Sequence, residues 1–422
     1  MTALDHLDDL AALVVASPSS FHAAAEGARR LAAAGFAATD ETAEWDSSPG
    51  GHYLVRDGAL LAWRVPEGAG PTTAFRVVGA HTDSPTFKLK PRPDLGAYGW
   101  QQLGVEVYGG PLLNSWLDRE LGLAGRLVLS DGSVQLVRTG AIMRIPQLAI
   151  HLDRAVNEEG VRLDKQQHTA PVWSVGHRGL SVLDHLAELA DCERSEIDGY
   201  DLVAFDTATP AVFGPHREFF AAARLDNLSS VHAALTALLA SPGGPHIELV
   251  AAFDHEEVGS GSRSGASGPL LADVVTRILV GLGASTDQQH RSMARSVCLS
   301  ADAGHALHPN YPGRHDPANH PLLNGGPLLK LNANQRYASD AGGSALWRRA
   351  CRRAGVPTQE FVSHNAIPCG STIGPLTATR LGIATVDVGV PLLSMHSARE
   401  LAGSEDPESL SRAVGAFLTM EG

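Results

Sequence analysis

Apolar residues recur along this chain in two textures, and each predicts different elements. Leu4, Leu7, Leu10, Ala11 and Val14 stand at helical spacing until Pro18 stops them, and a second helix is predicted from about Ser20 through Leu31 to Gly35. Short β-rich segments follow at 53–55 and 60–63, then an apolar run over 74–80 that delivers His81-Thr82-Asp83-Ser84-Pro85. From about 91 to 215 the texture changes to short strands and turns, with segments at 103–108 and 125–129, a hairpin turn at Asp131-Gly132 and a polar loop over 157–169. A helix carrying Val231, Leu235, Leu238 and Leu239 then runs up to Pro242, with Asp226 at its start. The runs 247–253, 297–301 and 383–388 read as buried strands, and Asp406-Pro407 opens a last helix that packs Leu410, Val414, Phe417 and Leu418.

These textures predict an α/β protein: a central mixed sheet flanked by helices, built from 1–90 and 216–422, with a β-rich domain inserted at 91–215. At 422 residues the chain exceeds the size at which a single core stops growing, so a divided architecture is the default. The 44% hydrophobic content fits a folded globular protein, and a net charge of -13 argues against nucleic acid or an anionic membrane as partner. The first ten residues carry acids where a secretory signal carries bases, and no apolar run approaches ~18 residues, so a cytoplasmic location is expected. Cys192, Cys298, Cys351 and Cys369 lack CxxC spacing and are too sparse for a disulfide framework, which predicts reduced thiols.

The chemistry lies where the apolar runs end. One arrangement repeats: a strand, then a side chain able to hold a metal, at His81, at Glu256-Glu257, at Asp302 and near His396. Asp226 adds a carboxylate at a helix start. The segment His255-Glu256-Glu257-Val258-Gly259 begins like the helical zinc signature but has Gly259 where a second His must stand, so further ligands must come from elsewhere in the chain. Taken singly, each of these residues reads as structural, and adjacent glutamates are commonly solvated. Together, two His and several carboxylates exceed one tetrahedral zinc site and suit two divalent ions that share a bridging carboxylate. Cys369 in its Gly-rich turn reads as a small residue that fits rather than a nucleophile, and the Gly/Ser stretch 259–265 matches neither GxGxxG nor a P-loop.

Five stretches taken in order resemble the aspartyl aminopeptidases, dinuclear metallopeptidases related to the tetrahedral aminopeptidases. They are GAHTDSP at 79–85, RLDN at 224–227, DHEEVGS at 254–260, HPNYPGRHDPANHP at 308–321 and PCGSTIGP at 368–375. The resemblance implies a zinc-peptidase-like catalytic domain and two divalent ions per chain, zinc first, with cobalt or manganese as alternatives. It implies that Asp226 bridges the ions, that His81 and Asp302 complete one site, and that Glu257 and His396 complete the other. Glu256 is then the general base for a bridging water activated by the metals, and Asp83 the carboxylate that orients the neighbouring imidazole or its site.

The same resemblance implies hydrolysis of an N-terminal Asp or Glu from peptides, with Lys330 and His305 meeting the acidic side chain. A buried, unpaired ammonium at Lys330 would be costly, and a substrate carboxylate would relieve that cost. The inserted domain is implied to build a dimer interface and to send His151 into a neighbouring subunit's site, within a tetrahedral dodecamer made of dimers. One departure stands out: Ala366 occupies a position where the family commonly has an acidic residue before Pro-Cys-Gly, which puts substrate affinity or acidic preference in doubt. The turn 370–374 is expected to present backbone N–H groups to the substrate. Competing readings are a related dinuclear aminopeptidase or deacylase of other specificity, and a non-catalytic assembly or cargo protein of the same fold.

Overall fold

Every residue of Ile247–Phe253 and Phe75–His81 is buried, so both runs must lie inside a sheet covered on both faces. The computed structural model describes residues 3–45, 47–177, 179–370 and 373–421. In it these runs are adjacent parallel strands, with Phe253 opposite His81. Val297–Ala301 pairs in parallel with Phe75–His81 on the other side, and Ala384–Gly389 pairs in parallel with Val297–Ala301. Among the described residues the sheet runs, in spatial order, Ala37–Ala38, Gly50–Arg56, Ala59–Val65, Ile247–Phe253, Phe75–His81, Val297–Ala301, Ala384–Gly389, Leu328–Leu331 and Gln359–Val362. It is mixed, because Ala59–Val65 runs antiparallel to Ile247–Phe253 and Leu328–Leu331 antiparallel to Ala384–Gly389.

The chain divides into two compact units. The first holds Met1–Asp83, Pro210–Met395 and Glu400–Gly422; the second holds Ser84–Thr209 and His396–Arg399. Within the first, the two-residue period of the strands separates two cores. Val78, Ala80, Val250, Ala252, Leu299 and Ala301 join one with Leu228, Leu235, Val414 and Phe417. The alternate residues Phe75, Val77, Leu249, Ala251 and Phe253 join the other with Leu270, Val274 and Ile278. Each fully buried Leu or Phe contributes roughly 1.5–3 kcal/mol. The helix Leu225–Ala240 is buried on nearly every side, which is why its apolar pattern is so dense. The class is α/β, a mixed sheet flanked by helices, as the hydrophobic pattern predicts. A smaller sheet in this unit joins Ala211–Phe213, Phe219–Ala222, Glu400–Gly403, Pro391–Leu393 and Gly304–His305.

The second unit is built on an antiparallel sheet in the order Val134–Arg138, Leu121–Leu129, Ile197–Asp206, Thr86–Ala97, Trp100–Tyr108 and Val172–Val175. Its buried face packs Phe87, Leu103, Leu123 and Leu127 on Trp116 and on Val182, Leu183 and Leu186 of the helix Val182–Leu189. Gly125 permits close pairing with Ile197–Asp206, since a Cβ there would stand 1.9 Å from the Asp201 carbonyl oxygen. The Asp131-Gly132 turn joins two paired strands as predicted. The 157–169 stretch is not loop throughout, because its first residues belong to a helical turn, Val156–Glu159. Among the described residues no helix is long and apolar enough to cross a membrane.

Candidate active site

Parallel register brings the chemically competent residues of the first unit to one edge of the sheet. His81 ends its strand level with Phe253, and Asp302 follows Ala301 immediately. Such carboxyl ends are where open α/β sheets hold ligands. Asp226 enters from the head of the helix Leu225–Ala240, where the backbone is not yet helical, with φ -81° and ψ 102°. Its amide donates to Glu400 Oε2 at 2.9 Å. Glu256 and Glu257 share one 3-10 turn, Glu256–Val258, flanked by His255 and Gly259 at φ 64° and 95°. This tight turn lets two adjacent carboxylates leave the backbone in different directions.

Around His81, only 1% exposed, the polar atoms converge. Its Nε2 lies 3.3 Å from Asp226 Oδ1, 3.4 Å from Asp302 Oδ1 and 4.0 Å from Glu256 Oε2. Its Nδ1 lies 3.1 Å from the Asp83 backbone carbonyl, which can only accept, so Nδ1 carries the proton and the Nε2 lone pair faces carboxylates. A lone pair against two anions is repulsive unless a cation stands between them. A proton on Nε2 answers the same need: burial would lower the imidazole pKa, yet hydrogen bonds to Asp226, Asp302 and Asp83 raise it well above the ordinary value. The same crowding acts on Glu256: burial pushes its carboxyl up to about 7, His81 opposes that, and Asp302, Asp226 and Asp83 add to it.

The donor set fits a divalent metal. The ligand atoms of His81, Asp226 and Asp302 lie within 4.8 Å of one another, as do those of His81, Glu256 and Glu257. Separations of 3.3 and 3.4 Å between the His81 nitrogen and the two carboxylate oxygens match the edge of a tetrahedron whose bonds are about 2.0–2.1 Å, the range for zinc.

Asp83 reaches both the imidazole and the glutamate turn. Its carboxylate accepts from the amides of Glu256 at 3.0 Å and Glu257 at 3.2 Å, while its Oδ1 stands 3.5 Å from His81 Nδ1. It therefore holds the glutamate turn as well as the imidazole. Lys330 is 1% exposed and its ammonium is not bare: it donates to Asp302 Oδ2 at 3.1 Å and to the Ala303 carbonyl at 2.8 Å, with the Tyr337 ring 5.4 Å away. The unpaired ammonium expected from the sequence is thus corrected. His305 is exposed on Gly304–His305 and lines, with Tyr337, a cavity of about 370 Å³.

His396 and His151 belong to the second unit. His396 Nδ1 lies 3.0 Å from the Gly110 carbonyl, which fixes the proton there and leaves Nε2 as the electron-pair donor. His151 sits on an exposed turn. Ser371 and Thr372 of the expected substrate-side turn lie outside the described residues. Glu400 is the contributor that sequence reasoning missed; its signal was an acid at the head of the apolar strand Glu400–Gly403, where it is 2% exposed.

A parallel sheet edge that gathers an imidazole and several carboxylates around one point is the architecture of a metallohydrolase. Residues 13–418 match the profile of the aminopeptidase I zinc metalloprotease (M18) family, and the chain belongs to that family of aminopeptidases. It is 54% identical over 420 residues to the probable M18 family aminopeptidase 2 of Streptomyces coelicolor, covering 98% of this chain and 97% of the relative. Among solved structures it is similar to a chain of the Ape4 and Nbr1 complex, with TM-score 0.95, 35% identity, and coverage of 99% of this chain and 86% of that one. It is also similar to the S. cerevisiae mApe1 dodecamer, with TM-score 0.85, 29% identity, and coverage of 97% of this chain and 95% of that one.

Proposed function

We propose that this aminopeptidase removes an N-terminal Asp or Glu from peptides, with Glu256 as general base. The observation that carries the reading is the convergence of His81, Asp226 and Asp302 on one point, with the Glu256 carboxylate 4.0 Å from the same imidazole nitrogen. His81 and Asp302 would hold one ion, Glu257 and His396 a second, and Asp226 both. When bound, these ions supply Lewis acidity toward the scissile carbonyl and toward water. Glu256, kept out of the ligand set, takes the proton from the attacking water and returns it to the leaving amine. Asp83 fixes the Glu256 and Glu257 amides and so sets where both carboxylates point.

The acidic side chain of the substrate would meet Lys330 and His305. An ammonium carries three donors. Asp302 and Ala303 engage two of those of Lys330, which leaves the third for a substrate carboxylate. In a homododecamer like that of S. cerevisiae mApe1, His151 would complete a neighbour's site from its exposed turn. A different side-chain preference is the second reading, favoured to the extent that Lys330 serves only Asp302.

Peptides beginning with Asp, Glu, Ala and Leu test the proposal before and after exhaustive chelation and back-titration with zinc, cobalt or manganese. Acidic peptides are expected to be cleaved with the highest kcat/KM, and only by metal-loaded protein. Equal rates on neutral peptides would remove the acidic specificity, and full activity after chelation would remove the mechanism.

A further inference from the structure

The cavity that begins at His305 and Tyr337 extends to a group of residues that the proposed mechanism leaves unused. His308, Arg314, His315 and His364 also line its volume of about 370 Å³, and among the described residues none of those lining it is Asp or Glu. This is unusual company in a chain of net charge -13. Arg314 is exposed at the end of the turn Pro312–Arg314, and among the described residues no carboxylate partners its guanidinium. His308 and His315 are held in place, the His308 amide lying 3.3 Å from His315 Nε2. His364 is fixed from the other side, its Nδ1 accepting from the Ala366 amide at 3.1 Å. The neighbouring Asp316 is turned to its own loop, its Oδ1 accepting from the amides of Ala318 and Asn319 and from the Asn319 side chain, and its charge acts on His364 at longer range.

The cavity adjoins the metal cluster through a short run of contacts. Tyr337 lines it, the Tyr337 ring lies 5.4 Å from Lys330 Nζ, and that ammonium lies 3.1 Å from Asp302. A substrate whose N-terminal residue is engaged near Lys330 and His305 therefore has a second region of nitrogen donors within reach, in which the guanidinium of Arg314 carries the charge, of a size that admits a few atom groups rather than a folded chain. Guanidinium is the side chain best shaped to take a carboxylate through paired N–H donors.

We infer that Arg314, supported by His308, His315 and His364, forms a second anion-recognition point that reads another carboxylate of the same peptide. That carboxylate is the free C-terminus of a short peptide or an acidic side chain following the first residue. The inference rests on the proposed placement of the substrate's N-terminal residue near Lys330, and makes the enzyme one for short, multiply acidic peptides.

The test uses the metal-loaded full chain and three peptides with the same first residue: Asp-Ala-Ala amide, Asp-Ala-Ala free acid, and Asp-Glu-Ala amide. One or both carboxylate-bearing peptides are expected to exceed the plain amide in kcat/KM by about ten-fold, mainly through KM, as one charge-assisted hydrogen bond provides. The arm that gains identifies the source of the carboxylate. In Arg314→Gln the gain should fall to near unity, and Arg314→Lys should recover part of it. Ala366→Asp, at an exposed position beside His364, should also reduce the gain by placing a negative charge at the rim. Equal rates for all three peptides in the unmodified protein would overturn the inference, as would an unchanged gain in Arg314→Gln. Loss of preference for Asp over Ala as first residue is a separate readout, and bears only on the Lys330 placement.

Discussion

Two neighbouring regions of the first unit have opposite chemistry. Around His81 the carboxylates of Asp226, Asp302, Glu256 and Glu257 crowd a single imidazole in a buried site. In the cavity beside it, His305, His308, Arg314, His315 and His364 line a volume with no acidic member among the described residues. Lys330 joins the two, buried, with its ammonium on Asp302 and its charge over the Tyr337 ring. The two regions therefore suit opposite kinds of ligand. Concentrated negative charge is tolerable only with cations, which suits a metal centre, whereas concentrated imidazole and guanidinium groups suit an anionic substrate.

Removing the link between the regions should have the larger effect. Lys330→Met keeps the buried volume but deletes the ammonium, and is expected to lower kcat/KM on Asp and Glu peptides by about 10–100-fold, the scale of a lost charge-assisted hydrogen bond. Neutral peptides should lose only a few-fold. Equal losses on both would mean that Lys330 serves Asp302 alone.

A smaller effect is expected behind the cluster. Glu400 holds the Asp226 amide at 2.9 Å from a buried position. Glu400→Ala leaves that amide without its acceptor and should weaken metal retention by about ten-fold in competition with a chelator. Glu400→Gln, which keeps an acceptor oxygen, should recover most of it. Unchanged affinity in the alanine variant would show that Asp226 is positioned by the helix start alone.

The acidic region was far more legible in the sequence than the cationic one. His81, Glu256, Glu257 and Asp302 each follow an apolar run of strand length, and parallel pairing in register brings the ends of such runs together, so periodicity alone points to where they gather. Asp226 was legible as a helix-start carboxylate. The cationic cavity draws His308, Arg314 and His315 from one irregular loop and His364 from another, more than one strand and helix later, and neither loop has a period that predicts where it folds back. The pairing of Lys330 with Asp302 was likewise hidden, because Leu328–Leu331 reaches the site only through its antiparallel place beside Ala384–Gly389. Nor could the sequence show that the Asp83 carboxylate spans to the Glu256 and Glu257 amides, a contact across 173 and 174 residues.

The claim on which the rest depends is that neighbouring glutamates divide the work, Glu257 holding metal and Glu256 moving protons. Glu256→Gln tests it most directly, with metal content per chain and kcat measured on the same preparation. The account predicts that the variant keeps its metal complement while kcat falls by about 10²–10⁴-fold, the range for loss of a general base. Loss of metal in parallel with activity would contradict it and make Glu256 a ligand.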